Sequence, residues 1–386
     1  MPSTRIKNLA YRCLLPFKAP VPDRDPVAVF SGHPICARKE LSRILRKHRV
    51  LGGSLLIEKE NEQTVVLSRC SRTNQTAASD SMFRVASITK TATALLVLRL
   101  RDKGSLDLSV PVSEMLPDSR DLRELNGVTL RHLLSHTSGL ADPAGLEALL
   151  ESGAPFHDAV RNARFADPGT SFRYSNLGFG LIGCVLEAVS GLPLGDLFRE
   201  ELFEPLGMNA TLEGCLLPQE KIMPVVRVLP YRPGSRLLVT ELGKKPLTLP
   251  DPLRHYGHTA GSMYTDIVSL SRMLACIRGG GVPLISADSA ALMKKAHASY
   301  GSLSPTLSYG LGLLIIEDSS LSSGRILGHQ GFAYGCADGA FWEEDTGCMM
   351  VMLNGGCSEA RAGRLGLCNY DLLRWAFRKE LPQWNT

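Results

Sequence analysis

Strand-like runs sit at the two ends of this chain, and helical periodicity fills what lies between. Ser54–Ile57 and Thr64–Leu67 are apolar runs introduced by Gly52-Gly53, and the polar segment from Glu58 to Gln63 reads as a hairpin turn. Near the other end, Tyr309–Ile316, Arg325–Gly328, Tyr334–Trp342 and Cys348–Leu353 are strand-like, with a hairpin turn at Glu344-Asp345-Thr346-Gly347. This distribution predicts one antiparallel sheet built from both chain ends, with a helical lobe inserted in the middle. No alternating βαβ units occur, so the fold class is α+β.

Helical spacing flanks the strand runs. Residues 36–49 place Leu41, Ile44, Leu45 and His48 on one face. Residues 359–378 do the same with Leu365, Leu367, Tyr370, Leu373, Trp375 and Phe377, so N- and C-terminal helices should flank the sheet. Residues 1–34 carry Pro2, Pro16, Pro20, Pro22, Pro26 and Pro34. They predict a proline-rich arm, extended, that packs on the body or on an oligomer partner or stays mobile. The domain proper is placed at 35–380, with a sheet lobe at 35–80 and 300–380 and a helical lobe at 81–299. Within the latter, residues 210–255 are rich in proline and lack periodicity, and read as an excursion that lines or covers a site.

With 386 residues and 44% hydrophobic content the chain can bury a large core. Its 43 basic and 38 acidic residues give +5, and no basic run interleaves with aromatics, which argues against nucleic acid as a partner. The ten cysteines are scattered and form no C-x-x-C pair, which argues against a structural zinc site. They fit a reducing cytosol better than a disulfide framework. Arg12 and Pro16 interrupt the apolar stretch near the N-terminus, leaving it too short for an export signal, and no run is long enough to span a membrane. A cytoplasmic location is expected.

The chemistry centres on Ser87-x-x-Lys90. Ala92, Leu95, Leu96, Leu98 and Leu100 continue a buried helical pattern from Ser87 to Arg101, and Gly104 stops it. Residues three apart share a helix face, so hydroxyl and amine point into one site. A serine hydroxyl needs a base, and a lysine supplies one when burial or a neighbouring cation lowers its pKa. This spacing alone arises by chance about once or twice in a chain of this length. Two further groups give it company: Tyr174-Ser175-Asn176 on a loop before a helix that Gly191 ends, and His329-Gln330-Gly331 on a strand. His136 lies in Leu133-Leu134-Ser135-His136-Thr137-Ser138-Gly139-Leu140, which reads as a bracing turn. Asp266 reads as a helix cap. His132, His255, His258 and His297 have no partner spacing, so no metal is implied.

The ordered set resembles the serine β-lactamase and penicillin-binding-protein superfamily, in its class C β-lactamase, DD-peptidase and esterase branch, over residues 35–378. Phe83-Arg84-Val85-Ala86-Ser87-Ile88-Thr89-Lys90 matches the branch's usual form. The resemblance implies a β-lactamase/transpeptidase-like fold and roles for each residue. Ser87 becomes the acylated nucleophile, and Lys90 helps take its proton. Tyr174 becomes the general base and proton relay, its phenol pushed down by the neighbouring ammonium. Asn176 bonds an acyl-side amide or holds Lys90. The backbone N–H groups of Ser87 and Phe332 form the oxyanion hole. His329 stands where many relatives carry lysine, and a half-neutral imidazole anchors an anion less well. The expectation is therefore a serine hydrolase for a small ester, amide or short peptide, with weak or no β-lactamase activity and no cofactor. Gly331 lets its strand lie close to the acyl group. Acyl transfer from the same acyl-enzyme, or a catalytically silent penicillin-binding sensor, are the other readings, and a homo-oligomer is left open.

Overall fold

The computed structural model describes residues 4–18, 28–29, 35–59, 62–67, 69–70, 75–229, 231–233, 246–302, 304–333 and 335–377. Its largest element is a nine-stranded sheet, antiparallel throughout, drawn from both chain ends. The order across it is Ala28–Val29, Glu62–Leu67, Gly53–Lys59, Met349–Asn354, Cys336–Glu343, Ile326–Ala333, Leu314–Ile316, Leu307–Tyr309 and Ala298–Ser299. The ends meet where Gly53–Lys59 pairs with Met349–Asn354, in a register that sets Leu55 opposite Met352.

Met349–Asn354 and Cys336–Glu343 are buried at every position, because both sheet faces are covered. Side chains alternate between faces along a strand. Met349, Val351 and Leu353 join the large core formed with the middle of the chain, while Met350 and Met352 join Leu41, Leu45, Leu372 and Trp375 of the flanking helices. Those flanking helices are Ile35–Lys47 and Leu367–Ala376.

The single run expected at Tyr309–Ile316 is two strands, broken at Gly310–Leu313. Gly312 has φ +68°, and a Cβ there would lie 2.5 Å from the Ala94 side chain and 2.8 Å from the Lys90 carbonyl. The sheet thus turns a corner directly on the helix Thr89–Asp102. The helix expected over 359–378 is shorter, because a small hairpin, Arg361–Ala362 against Leu365–Gly366, precedes it.

The expected extended arm is corrected in part. Thr4–Lys18 is a helix, with Pro16 in its last turn, and Tyr11 and Leu15 pack on Leu51, Val226, Val228 and Ala360. The proline count had concealed an amphipathic run that ends where most of the prolines begin. Asn8 of this helix exchanges hydrogen bonds with the backbone of Arg361, at 2.7 and 3.0 Å. Among the described residues, no single helix is long and apolar enough to cross a membrane. Replacing Tyr11 and Leu15 together by alanine should lower stability by roughly 2–4 kcal/mol, read as a lower midpoint in urea unfolding.

Candidate active site

The nucleophile sits on a sharp turn. Ala86 has φ +47°, a left-handed conformation that a residue with a Cβ adopts at a cost of about 1–2 kcal/mol. Thr89 fixes the turn: its hydroxyl donates to the Ala86 carbonyl at 2.6 Å and accepts from Met263 N at 3.1 Å. The strand Ile326–Ala333 runs against the same turn. A Cβ at Gly331 would lie 2.3 Å from the Val85 carbonyl oxygen. This glycine lets the strand touch the serine turn. Ser87 and Phe332, whose N–H groups were assigned to the oxyanion hole, line one cleft.

Lys90 is fully buried, and three oxygens surround its Nζ. Ser87 Oγ lies at 3.1 Å, Asn176 Oδ1 at 2.9 Å and the Ala260 carbonyl at 2.6 Å. Desolvation pushes the amine down to about 7. Asp142 opposes that shift and Arg84 adds to it. A neutral amine has two protons and one lone pair. Two of its neighbours can only accept, so the protons go to Asn176 and Ala260 and the lone pair faces Ser87. Of the two roles expected for Asn176, the structure shows the hold on Lys90.

Tyr174 lies beside this group, its hydroxyl hydrogen-bonded to Ser87 and its ring centroid 4.9 Å from Lys90 Nζ. The expectation of a lowered phenol is corrected. Burial raises Tyr174, and the Ser87 hydrogen bond only partly opposes it. The loop is held from both sides. Ser175 Oγ caps the helix Asn176–Ser190 by accepting from Gly178 N at 3.0 Å, and Ser175 N donates to His136 Nδ1 at 3.1 Å. The His136 ring stacks on Tyr174 at 4.2 Å, so it braces the loop as its string implied. Burial and the nearby Lys90 hold this imidazole neutral.

His329 reaches the cleft wall but offers no charge. Burial pushes it down to about 3, helped by Lys90. Its Nδ1 donates to the Gln330 carbonyl at 2.7 Å, and its Nε2 accepts from the Tyr309 hydroxyl at 2.9 Å. Both ring nitrogens are thus engaged within the protein, and the ring lines the cleft. Cationic side chains come instead from Arg84 and from the small hairpin, whose Arg361 and Arg364 line the cleft. Arg361 lies 4.1 Å from the Phe332 ring centroid, and Gln330 ties the hairpin down through the Arg364 carbonyl and Gly366 N.

The cleft holds about 470 Å³, and Leu146, Leu150 and Tyr256 also line it. The described part of residues 210–255 does not line it, while Tyr256 and Gly257 just beyond do; residues 230 and 234–245 of that stretch lie outside the described residues. Among the described residues, no group of three or more His, Cys, Asp or Glu is placed to hold a metal ion. Asp142, Arg361 and Arg364 were not anticipated from the sequence. Asp142 sits two residues past the string that holds His136, and the arginines lie in a stretch that reads as helix.

A serine hydroxyl, a buried lysine amine and a phenol converging beside an antiparallel sheet define a serine hydrolase of the acyl-enzyme type. The chain belongs to the beta-lactamase family, whose model matches residues 37–364. It is 30% identical over 267 residues to Penicillin-binding protein 4 of Amycolatopsis lactamdurans, covering 65% of this chain and 67% of that protein. It is 32% identical over 197 residues to Esterase EstB of Burkholderia gladioli, covering 43% of this chain and 47% of that protein. The match thus spans about two thirds of the first relative and under half of the second. The solved structure of EstCE1, a hydrolase with promiscuous acyltransferase activity, overlays with a TM-score of 0.67 at 22% identity, covering 87% of this chain and 98% of that one. That overlay shows the shared fold.

Gly331→Ala should force the strand off the serine turn. A cost of roughly 1–3 kcal/mol in stability is expected, together with a loss of esterase turnover larger than the loss of fold, measured by thermal unfolding and ester hydrolysis.

Proposed function

We propose that this protein hydrolyses a small ester or amide through an acyl-enzyme on Ser87. The contact pattern around Lys90 carries the reading: both amine protons are occupied by acceptors, so the lone pair is aimed at the serine. In the forward step Ser87 Oγ attacks the acyl carbon and Lys90 Nζ takes the hydroxyl proton. The oxygen that gains charge is met by the N–H groups of Ser87 and Phe332. Tyr174, kept protonated by burial, hands its proton to the leaving group and is reprotonated from Lys90. Water then enters by the reverse path and frees the serine. An alcohol or amine in place of water gives acyl transfer from the same intermediate, and esterase and acyltransferase names among the similar proteins support keeping both.

Arg361 and Arg364 supply the positive charge that His329 lacks, so the favoured substrate carries a negative group on the side facing the hairpin. A penicillin-recognising scaffold without turnover is the weaker reading, since Lys90, Tyr174 and Asn176 are all in working positions.

Two measurements test this. A fluorophosphonate should label the protein, and Ser87→Ala should abolish the label; persistence of label in the variant rejects the assignment. For a neutral p-nitrophenyl ester, kcat/KM should rise with pH, reach half its maximum at about 7 and level off above that. Below that pH Lys90 gains a third proton and loses its lone pair. Arg361→Ala and Arg364→Ala should each raise KM for a carboxylate-bearing ester roughly tenfold while leaving a neutral ester near its original value, as loss of a charge-assisted contact predicts.

A further inference from the structure

Resting on that reading, we infer that Asp142 is a positioning residue: it fixes which end of the Asn176 amide faces Lys90, and so keeps the lysine lone pair directed at Ser87. Asn176 has a donor end and an acceptor end, and the reaction requires the acceptor at Lys90. Asn176 Nδ2 donates to Asp142 Oδ2 at 3.0 Å, which leaves Asn176 Oδ1 to accept from Lys90 at 2.9 Å. A carboxylate has no donor of its own, so it can only select this orientation.

The carboxylate is itself held. Its Oδ1 accepts from Ser175 Oγ at 2.8 Å and from Leu177 N at 2.9 Å, at the start of the helix Asn176–Ser190. Asp142 therefore grips the residues on either side of Asn176 and its side chain as well. If the amide turned over, its Nδ2 would face Lys90 as a donor. The amine could then answer only with its lone pair, and Ser87 would lose its base. A helix cap alone does not account for the Oδ2 contact, which adds nothing to the helix end.

The charged and titratable groups around Lys90 come from several elements. They are Asp142, Arg84 on the strand before the serine turn, Tyr174 on the loop, and the neutral imidazoles of His136 and His329. Asp142 is the one acidic group among these.

Asp142→Asn separates the two roles. Its Oδ1 can still accept from Ser175 and Leu177, so the helix cap survives. Its Nδ2 would face the Asn176 Nδ2, donor against donor, and turn that amide over. On the alkaline plateau, kcat for a p-nitrophenyl ester should fall roughly 10- to 100-fold with KM nearly constant, the scale of a misplaced catalytic group. Its melting temperature should stay close to that of the parent. With the negative charge gone, the acid limb of the pH profile should move to lower pH. In an Asn176→Ala background the same substitution should cost almost no further kcat, because the amide it acts through is absent.

An equal fold-loss in both backgrounds overturns the inference, as does a wild-type kcat in Asp142→Asn. Asp142→Ser is run alongside, in case the asparagine variant does not fold. It keeps an acceptor near the helix end without reaching Asn176, and should show the same loss and the same dependence on Asn176. Ser87→Ala keeps the two readings apart. Full activity in that variant rejects the acyl-enzyme, whereas a Ser87-dependent parent with an indifferent Asp142 variant rejects only the positioning role.

Discussion

Burying the Lys90 amine among protein oxygens is the constraint on which the site depends. An ammonium taken from water into a protein interior loses several kcal/mol of solvation unless partners replace it. Here the partners are two neutral acceptors and a hydroxyl, with the nearest carboxylate one residue removed through Asn176. That arrangement satisfies an amine's protons without stabilising a full charge. A direct ion pair would have kept the lysine protonated and useless as a base. An apolar enclosure would have left its protons without acceptors.

The fold serves this enclosure at two sheet contacts. The corner at Gly312 presses on the helix that carries Lys90, and the strand of Gly331 presses on the turn that carries Ser87. Both strands come from the C-terminal part of the sheet, while the nucleophile turn and its helix come from the middle of the chain. Pairing of Gly53–Lys59 with Met349–Asn354 closes the sheet across nearly the whole sequence. Small displacements of the sheet would therefore reach the serine directly, with no flexible segment between to absorb them.

The sequence showed what local pattern can carry and missed what burial decides. Ser87, Lys90, Tyr174 and His329 were legible because each sits in a short string with a fixed neighbour. The sheet was legible because apolar runs cluster at the two ends. The charge states of His329 and Tyr174 were not, because a reference pKa says nothing of a site where both are enclosed. Arg361 and Arg364 were hidden by a hairpin whose residues also satisfy helical spacing, so that periodicity alone cannot separate the two forms. Asp142 was hidden more deeply. Its importance lies in contacts with residues 33 to 35 positions away, which no spacing rule encodes.

One physical cause assigns the roles within the lysine and tyrosine pair. Desolvation acts on both groups and disfavours charge on each, so it lowers the amine and raises the phenol. Above about pH 7 the pair is therefore neutral, in place of phenolate and ammonium. The neutral pair already holds what the reaction needs: a lone pair beside the serine hydroxyl and a proton beside the leaving group. Nothing has to be exchanged between the two before attack begins. The charge that develops during attack falls on Lys90, where Asn176 and Ala260 accept the protons it already holds, and on the acyl oxygen, where backbone N–H groups receive it. Keeping both groups uncharged at rest thus reserves the site's electrostatics for the transition state, the point at which such interactions accelerate a reaction.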